Sequence, residues 1–306
     1  MPDRASAPEL VRESTTEANG LRFGTLSWGP EDGPLALLVH GFPDTAWTWR
    51  HVGPMLGAAG WHAVAPFTRG YGPTDLAPGD RYFVSDQVAD AVALADSLQV
   101  AGRGAVLIGH DWGAVAAWAV ATHQPERFDS IVAMAVPPPE VLTEVWLSPG
   151  TIPTGLGQLR LSWYFLFNQF GIAENRFEEL VRHLWRAWSP GYDGSADIEL
   201  LLSSLDGPAR RRASLEYYRD NLRHGISYLA GLKPVAPTLY LHGSDDGCGR
   251  IDLARVGAGL MAEGSRFRDA GCRGSTRATP VASPGHRATR AATRCRPSRR
   301  SRETRP

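Results

Sequence analysis

The chain has 306 residues, enough for one α/β domain with an insertion and a sizeable buried core. Hydrophobic residues make up 43% and charged residues 21%, which excludes a fibrous or wholly disordered protein. The net charge is zero, but residues 265–306 contain twelve arginines and only two acidic residues. Residues 1–264, with 20 basic and 30 acidic residues, therefore form an acidic body followed by a basic tail.

The N-terminal segment has no apolar stretch of the kind found in secretory signals, and no apolar run approaches about 18 residues. We therefore expect a cytoplasmic protein with no membrane partner. The three cysteines, Cys248, Cys272 and Cys295, lack metal-binding spacing and predict neither a disulfide framework nor a metal site. We expect no cofactor, and the composition leaves the oligomeric state open.

Strands and helices alternate along the first part of the chain. Predicted strands are "LRFGTLSWG", "LALLVHGF", "WHAVAPF", "GAVLIGHD" and "FDSIVAMAV", and helices are predicted at "AWTWRHVGPMLGAAG", "VSDQVADAVALADSLQV" and "WGAVAAWAVATHQP". This alternation predicts an α/β fold with a mostly parallel sheet flanked by helices. Active sites of such sheets lie at the carboxyl ends of the strands.

The alternation stops at the run "PPPE", residues 137–140, and resumes at "APTLYLHG". The intervening segments are helical in pattern and rich in aromatic residues, so we predict a helical cap inserted between two strands. The predicted boundaries are an N-terminal segment (1–20), the first part of the core (21–137), the cap (138–232), the second part of the core (233–268) and an arginine-rich tail (269–306). A cap excludes water from the strand ends.

Residues 109–113, Gly-His-Asp-Trp-Gly, fit the pattern of a nucleophile elbow with Asp111 as the nucleophile. Flanking glycines allow a sharp turn from strand to helix, and the helix N-terminus directs backbone N–H groups at Asp111. The alternative is an ordinary turn in which Asp111 only caps the helix. The motif "HGFP", residues 40–43, favours the nucleophile because it follows a buried strand, where a second oxyanion donor is expected.

These motifs resemble the α/β-hydrolase family, and within it the epoxide hydrolase branch, over about residues 20–262. The resemblance implies that the backbone N–H groups of Phe42 and Trp112 form an oxyanion hole. Relatives of the haloalkane dehalogenase type share the aspartate but tend to carry asparagine in place of Phe42, which favours the epoxide hydrolase branch. The other motif residues are His40, Gly41, Pro43, Gly109, His110 and Gly113.

A carboxylate nucleophile predicts attack on a saturated carbon, with an alkyl-enzyme ester whose carbonyl belongs to Asp111. Opening an epoxide also requires a hydrogen-bond donor for the departing oxygen. The segments "WYFLFNQFGIAE" and "LEYYRDN" resemble family segments that present such donors, which implies this role for Tyr164 and Tyr218. Packing in the core is the alternative, and we expect it for the neighbouring aromatic residues Trp163, Phe165, Phe167 and Tyr217.

A catalytic triad on this fold runs nucleophile, acid, histidine in chain order. The resemblance matches the acid to Asp246, with Asp245 as the fallback, and either also fits an Asx turn. We expect His242 to be structural because it precedes the acid. The histidine should lie near residues 271–276, where the chain reads "GCRGST" and has none.

After Phe267 the only strongly apolar side chain is Val281, so we expect the C-terminal strand and helix of the fold to be missing. The single lysine, Lys233, beside 31 arginines indicates a GC-rich coding sequence, and such sequences read out of frame give a composition like that of the tail. We therefore hypothesise a shifted reading frame near residue 269. The alternatives are a natural basic tail, or a relocated triad that uses His286.

The sequence thus predicts a hydrolase that acts on a small-molecule epoxide or halogenated substrate and forms a diol from an epoxide through His-activated water. Without the histidine, we expect an impaired enzyme that stops after one turnover. The alternatives are a haloalkane or haloacid dehalogenase, an inactive binding protein with the hydrolase fold, and a nucleic-acid-binding protein that uses the tail.

Overall fold

The computed structural model describes residues 11–270 and the backbone of residues 279–280. Its strands form a single sheet in the order β1-β2-β4-β3-β5-β6-β7-β8-β9. The strands are β1 (Arg12–Ala18), β2 (Leu21–Trp28), β3 (Leu35–Val39), β4 (His62–Pro66), β5 (Ala105–His110), β6 (Ser130–Met134), β7 (Thr238–Gly243), β8 (Arg266–Ala270) and β9 (Thr279–Pro280).

The six strands from β4 to β8 in the sheet order pair in parallel, whereas β1, β2 and β9 pair antiparallel at the edges. Every residue of β3 and β4 is buried, as expected for central strands covered on both faces. The covering helices of the core are α1 (Val52–Ala58), α2 (Val84–Leu98), α3 (Trp112–His123) and α12 (Ile251–Ala258). The predicted mostly parallel α/β sheet is confirmed.

Eight helices lie between β6 and β7 in the described part of the chain, which confirms the inserted helical cap. They are α4 (Val141–Leu147), α5 (Ile152–Leu161), α6 (Trp163–Phe167), α7 (Ile172–Asn175), α8 (Phe177–Trp188), α9 (Ser195–Ser204), α10 (Pro208–Arg223) and α11 (Ile226–Ala230). The boundaries 138–232 for a separate cap domain stay a prediction.

Hydrogen bonds and an ion pair fix the cap on the loops that follow the core strands. The Trp185 indole N–H of α8 donates to the Pro43 carbonyl oxygen at 2.9 Å. Asp197 of α9 pairs with Arg50 of the core at 2.5 Å. The Tyr217 hydroxyl of α10 donates to the Arg69 carbonyl oxygen at 2.9 Å. The cap therefore holds a defined position over the carboxyl ends of the strands.

Two sequence-based expectations differ from the structure. The N-terminal segment contains β1, whose polar sequence "RESTTEA" carries no apolar alternation because the strand lies at the sheet edge and most of its side chains face solvent. The expectation that the C-terminal strand is missing was wrong, because Arg266–Ala270 pairs with β7 and buries Phe267 against Tyr240. The helix that would follow, His286 and the proposed frame shift lie outside the described residues.

Candidate active site

Asp111 stands at a strained turn between β5 and α3. Its backbone has φ 54° and ψ −117°, a conformation that residues other than glycine rarely adopt. A Cβ atom on Gly109 would lie 2.0 Å from the Gly113 carbonyl oxygen, and one on Gly113 would lie 2.1 Å from the Val39 carbonyl oxygen. Both glycines are therefore required by close backbone approach, and the turn has the sharp geometry that the motif predicts.

Two backbone N–H groups hydrogen-bond the Asp111 carboxylate. The Phe42 N–H donates to Asp111 Oδ1 at 2.7 Å, and the Trp112 N–H is the second donor. Gly41 lets the loop approach this closely, since a Cβ there would lie 2.3 Å from Asp111 Oδ1. The structure thus brings Asp111 together with both of the backbone N–H groups that the resemblance implies as oxyanion donors.

His40 holds the loop that carries Phe42. Its Nε2 accepts a hydrogen bond from the Thr68 N–H at 3.0 Å, so Nδ1 carries the proton and donates to the Gly41 carbonyl oxygen at 3.0 Å. Burial lowers the pKa of His40 to about 4, which keeps the ring neutral at physiological pH. The His40 side chain therefore links the loop to Thr68 through two hydrogen bonds and holds the loop in place.

Burial also raises the pKa of Asp111 to about 7. The hydrogen bonds from Phe42 and Trp112 lower this pKa, and the charges of Asp246 and Asp44 raise it. The carboxylate is therefore weakly solvated and about half ionised near neutral pH. The Phe42 N–H is bonded to Oδ1, one of the two carboxylate oxygens.

Tyr164 and Tyr218 lie on cap helices α6 and α10, and both line one cavity with Asp111. Their rings meet edge to face with centroids 5.7 Å apart. Burial is the main cause that raises the pKa of each hydroxyl well above its usual value, so both stay protonated and can donate. The Tyr218 hydroxyl has no hydrogen-bond partner of good geometry among the described residues.

The aromatic neighbours divide between core and surface. Tyr217 is buried, as expected for a core residue, and Phe165 and Phe167 are partly buried. The core expectation for Trp163 was wrong, since this side chain is 43% exposed and lines the cavity at its mouth. The ring packs edge to face against Phe167 and His183 and leaves the rest of its surface exposed.

The two acidic residues after β7, Asp245 and Asp246, differ in their exposure to solvent. Asp246 is partly buried, and its Oδ1 accepts hydrogen bonds from the N–H groups of Cys248 at 2.7 Å and Gly249 at 2.9 Å. Its charge raises the pKa of Asp111, whereas Asp245 faces solvent. The structure therefore brings Asp246 into electrostatic contact with the site. Its assignment as the triad acid stays a prediction.

His242 is the one histidine that lines the cavity in the described part of the chain. Its Nδ1 lies 2.9 Å from the Tyr240 hydroxyl, and its Nε2 lies 3.0 Å from the Gly249 carbonyl oxygen. Both ring nitrogens are thus engaged, which fits the expected structural role. His286, the other candidate base, lies outside the described residues.

The cavity has a volume of about 640 Å³ and lies between the cap and the strand ends. It also exposes Cys248, whose Sγ lies 3.4 Å from the Tyr164 hydroxyl oxygen. Sequence reasoning missed this contact because no motif marks a cysteine two residues after Asp246. Among residues 11–270 no helix is long and apolar enough to cross a membrane, and no cluster of three metal-binding side chains occurs.

Comparison with known proteins gives consistent matches. The model of the family described as "Alpha/beta hydrolase family" matches residues 36–290. The AB hydrolase superfamily protein YfhM of Bacillus subtilis is 30% identical over 70% of this chain and 74% of its own length. Epoxide hydrolase 4 of Mus musculus is 31% identical over 78% of this chain and 67% of its own length.

A solved structure adds to these matches. The crystal structure of an epoxide hydrolase from Vigna radiata superposes with a TM-score of 0.60 and 28% identity over 77% of this chain and 80% of that chain. Among eight of the curated relatives, the aligned part spans from 33% to 74% of the relative's length. The match to the α/β-hydrolase family includes the segment around His286, which the structure does not describe.

Proposed function

Because the chain belongs to the α/β-hydrolase family, on its epoxide hydrolase branch, we propose that it opens epoxides through a covalent ester on Asp111. The observation that carries the proposal is the Asp111 carboxylate, with Oδ1 held by Phe42 N–H at 2.7 Å and with two protonated tyrosines lining the same cavity. A nucleophile and hydrogen-bond donors for a departing oxygen therefore share one site.

In the first step, an Asp111 carboxylate oxygen attacks an epoxide carbon and the bond from that carbon to the ring oxygen breaks. The ring oxygen is stabilised by the hydroxyls of Tyr164 and Tyr218, one of which transfers its proton. The product is an ester between Asp111 and the opened substrate. This step needs no base other than the carboxylate itself.

In the second step, water attacks the carbonyl carbon of the Asp111 ester. The N–H groups of Phe42 and Trp112 then stabilise the tetrahedral oxyanion, a contribution of about 3 kcal/mol per donor. Collapse of this intermediate breaks the bond to the substrate oxygen, which takes one proton of the water to complete the diol, while the other proton returns to the tyrosine that donated in the first step. Asp111 is left as a carboxylate with one oxygen from water. The proton of the attacking water must pass to a base, which in a triad is a histidine paired with Asp246.

The second step needs a base, and the described part of this chain offers no histidine with a free ring nitrogen in the cavity. His242 has no free ring nitrogen, and His286 lies in an arginine-rich stretch where residues 271–306 contain ten arginines and one acidic residue. We therefore expect ester hydrolysis to be slow and the protein to accumulate as the alkyl-enzyme. A shifted reading frame near residue 269 would account for the loss.

Labelling the solvent tests both steps together. The purified protein is incubated with an excess of 1,2-epoxyoctane in H₂¹⁸O, and the diol and the Asp111 peptide are measured by mass spectrometry. We expect at most one equivalent of diol and a retained substrate mass on Asp111. Sustained diol formation would contradict the impairment, and would still support the ester mechanism if ¹⁸O appears in Asp111.

The two tyrosines favour an epoxide over a halogenated substrate, since phenol hydroxyls suit an oxygen that gains a proton as it leaves. Parallel incubation with 1-bromooctane measures the alternative of a haloalkane dehalogenase by bromide release. Faster alkylation of Asp111 by the bromide than by the epoxide would overturn this preference. An Asp111 that neither compound alkylates would favour a binding protein with the hydrolase fold.

A further inference from the structure

Two polar side chains that line the cavity, Gln158 and Arg250, already have partners within the protein. Gln158 donates from Nε2 to the Cys248 carbonyl oxygen at 2.9 Å and accepts at Oε1 from the Arg250 N–H at 2.9 Å. The Arg250 guanidinium is held by both carboxylate oxygens of Asp252, at 2.9 and 2.7 Å. These two residues therefore have their main polar groups committed.

Deeper in the cavity the same pattern holds. Asn221 accepts at Oδ1 from the Val84 N–H at 3.0 Å and donates from Nδ2 to two backbone carbonyl oxygens, and both His242 ring nitrogens are engaged. The Tyr218 hydroxyl has no partner of good geometry among the described residues, and the Tyr164 hydroxyl has only the weak contact with Cys248. The hydroxyls of Tyr164 and Tyr218, which line the cavity with Asp111, are therefore available to an oxygen of the substrate.

The mouth of the cavity is apolar. Six large side chains line the cavity and are between 40% and 64% exposed, namely Leu142, Trp146, Leu159, Trp163, Leu166 and Ile226. A monomeric surface rarely clusters large apolar side chains in this way unless something apolar contacts them. A hydrocarbon chain that runs from Asp111 to the mouth would bury part of this surface.

We infer that the substrate is an uncharged epoxide with a long hydrocarbon part, whose one polar group is the epoxide oxygen. A carboxylate on the far end would lie among the apolar side chains of the mouth, where the Arg250 guanidinium already pairs with Asp252, and would lose hydration with little compensation. This inference rests on the proposed function, because it names the class of epoxide that the same site takes.

The experiment compares the second-order rate constant for formation of the Asp111 ester with four epoxides. These are 1,2-epoxybutane, 1,2-epoxyoctane, 7,8-epoxyoctanoate and its methyl ester. We expect epoxyoctane to react at least about tenfold faster than epoxybutane, since each methylene buried from water contributes about fourfold. We expect the carboxylate to react at least about tenfold slower than epoxyoctane, and the methyl ester to recover most of that loss.

A matched pair of variants locates the effect at the mouth. Leu159→Asp places a charge where the hydrocarbon would pass, whereas Met55→Asp places one on α1, where the side chain is 72% exposed and does not line the cavity. The preference for epoxyoctane over epoxybutane should fall at least about fivefold in Leu159→Asp and stay unchanged in Met55→Asp.

The outcomes separate this inference from the proposed function. If epoxybutane alkylates Asp111 but chain length gives no gain, or the carboxylate reacts as fast as epoxyoctane, the substrate class is wrong while the mechanism stands. If none of the four epoxides alkylates Asp111, the proposed function itself fails. A preference that survives Leu159→Asp would show that the mouth does not hold the chain.

Discussion

The two halves of the sheet's carboxyl edge differ in how many of the proposed catalytic groups they hold in place. At the ends of β3 and β5, the proposed nucleophile Asp111 accepts hydrogen bonds from both backbone donors. His40 donates to the Gly41 carbonyl oxygen in the loop that carries one of these donors. At the ends of β7 and β8, Asp246 is in place, but the histidine that lines the cavity there has no free ring nitrogen. In the proposed mechanism, ester formation depends on the first half and ester hydrolysis on the second, so the two steps can be tested separately.

Removing the nucleophile should have the largest effect. Asp111→Asn replaces the attacking carboxylate by an amide and should slow ester formation by about 10⁴-fold or more, measured by intact protein mass after exposure to an epoxide. The matched control is Asp245→Asn, which removes a solvent-exposed carboxylate after β7 and should leave the rate unchanged. Equal rates of ester formation in Asp111→Asn and the native chain would show that Asp111 is not the nucleophile.

The cap tyrosines should come next. Tyr164→Phe and Tyr218→Phe each remove a donor to the ring oxygen and should slow ester formation by about 10²-fold. Tyr217→Phe is the matched control, because it removes a hydroxyl that donates to the Arg69 carbonyl oxygen and does not line the cavity. That change should lower the free energy of unfolding by about 1–3 kcal/mol and leave ester formation intact. A slower reaction in Tyr217→Phe alone would reverse the assignment.

The rate of ester formation should depend on pH through the ionisation of Asp111. The carboxylate is the attacking form and burial raises its pKa to about 7, so the rate should fall about tenfold per pH unit below that value and level off above it. Asp246→Asn removes a charge that raises this pKa, and the midpoint should therefore move to lower pH. A midpoint that stays in place in Asp246→Asn would show that the two carboxylates do not interact.

His286 should have the smallest effect. If the second half lacks a working base, the Asp111 ester will be hydrolysed at the same rate in His286→Gln as in the native chain. This rate is measured after removal of excess epoxide. If His286 is the relocated base, the native ester will decay about 10²–10⁴-fold faster than that of the variant. That second result would replace the frame-shift hypothesis by a relocated triad.

Much of the first half could be predicted from the sequence because its geometry depends on backbone requirements that few residues meet. Gly41, Gly109 and Gly113 stand where a Cβ atom would strike backbone or carboxylate atoms, so their spacing marks the turn and the loop. The parallel sheet followed from alternating buried strands and helices. The polar strand β1 was missed, because an edge strand is held by backbone hydrogen bonds and needs no apolar pattern.

Features that depend on cap packing could not be predicted in this way. The Trp163 ring was expected in the core but is 43% exposed, and the contact of Cys248 with Tyr164 joins residues 84 positions apart. Helical periodicity does not fix how short helices rotate against each other. The C-terminal strand was expected to be missing because the chain after Phe267 is poor in apolar residues, yet Arg266–Ala270 pairs with β7 and its Phe267 packs against Tyr240.

The most direct test of the account is the mass of the Asp111 peptide, followed over time after the native chain meets 1,2-epoxyoctane in H₂¹⁸O. The account predicts that this peptide gains the mass of one substrate molecule and keeps it while free epoxide remains. A peptide that shows neither the substrate mass nor ¹⁸O at Asp111 while the epoxide is consumed would contradict the assignment of Asp111 as a covalent nucleophile.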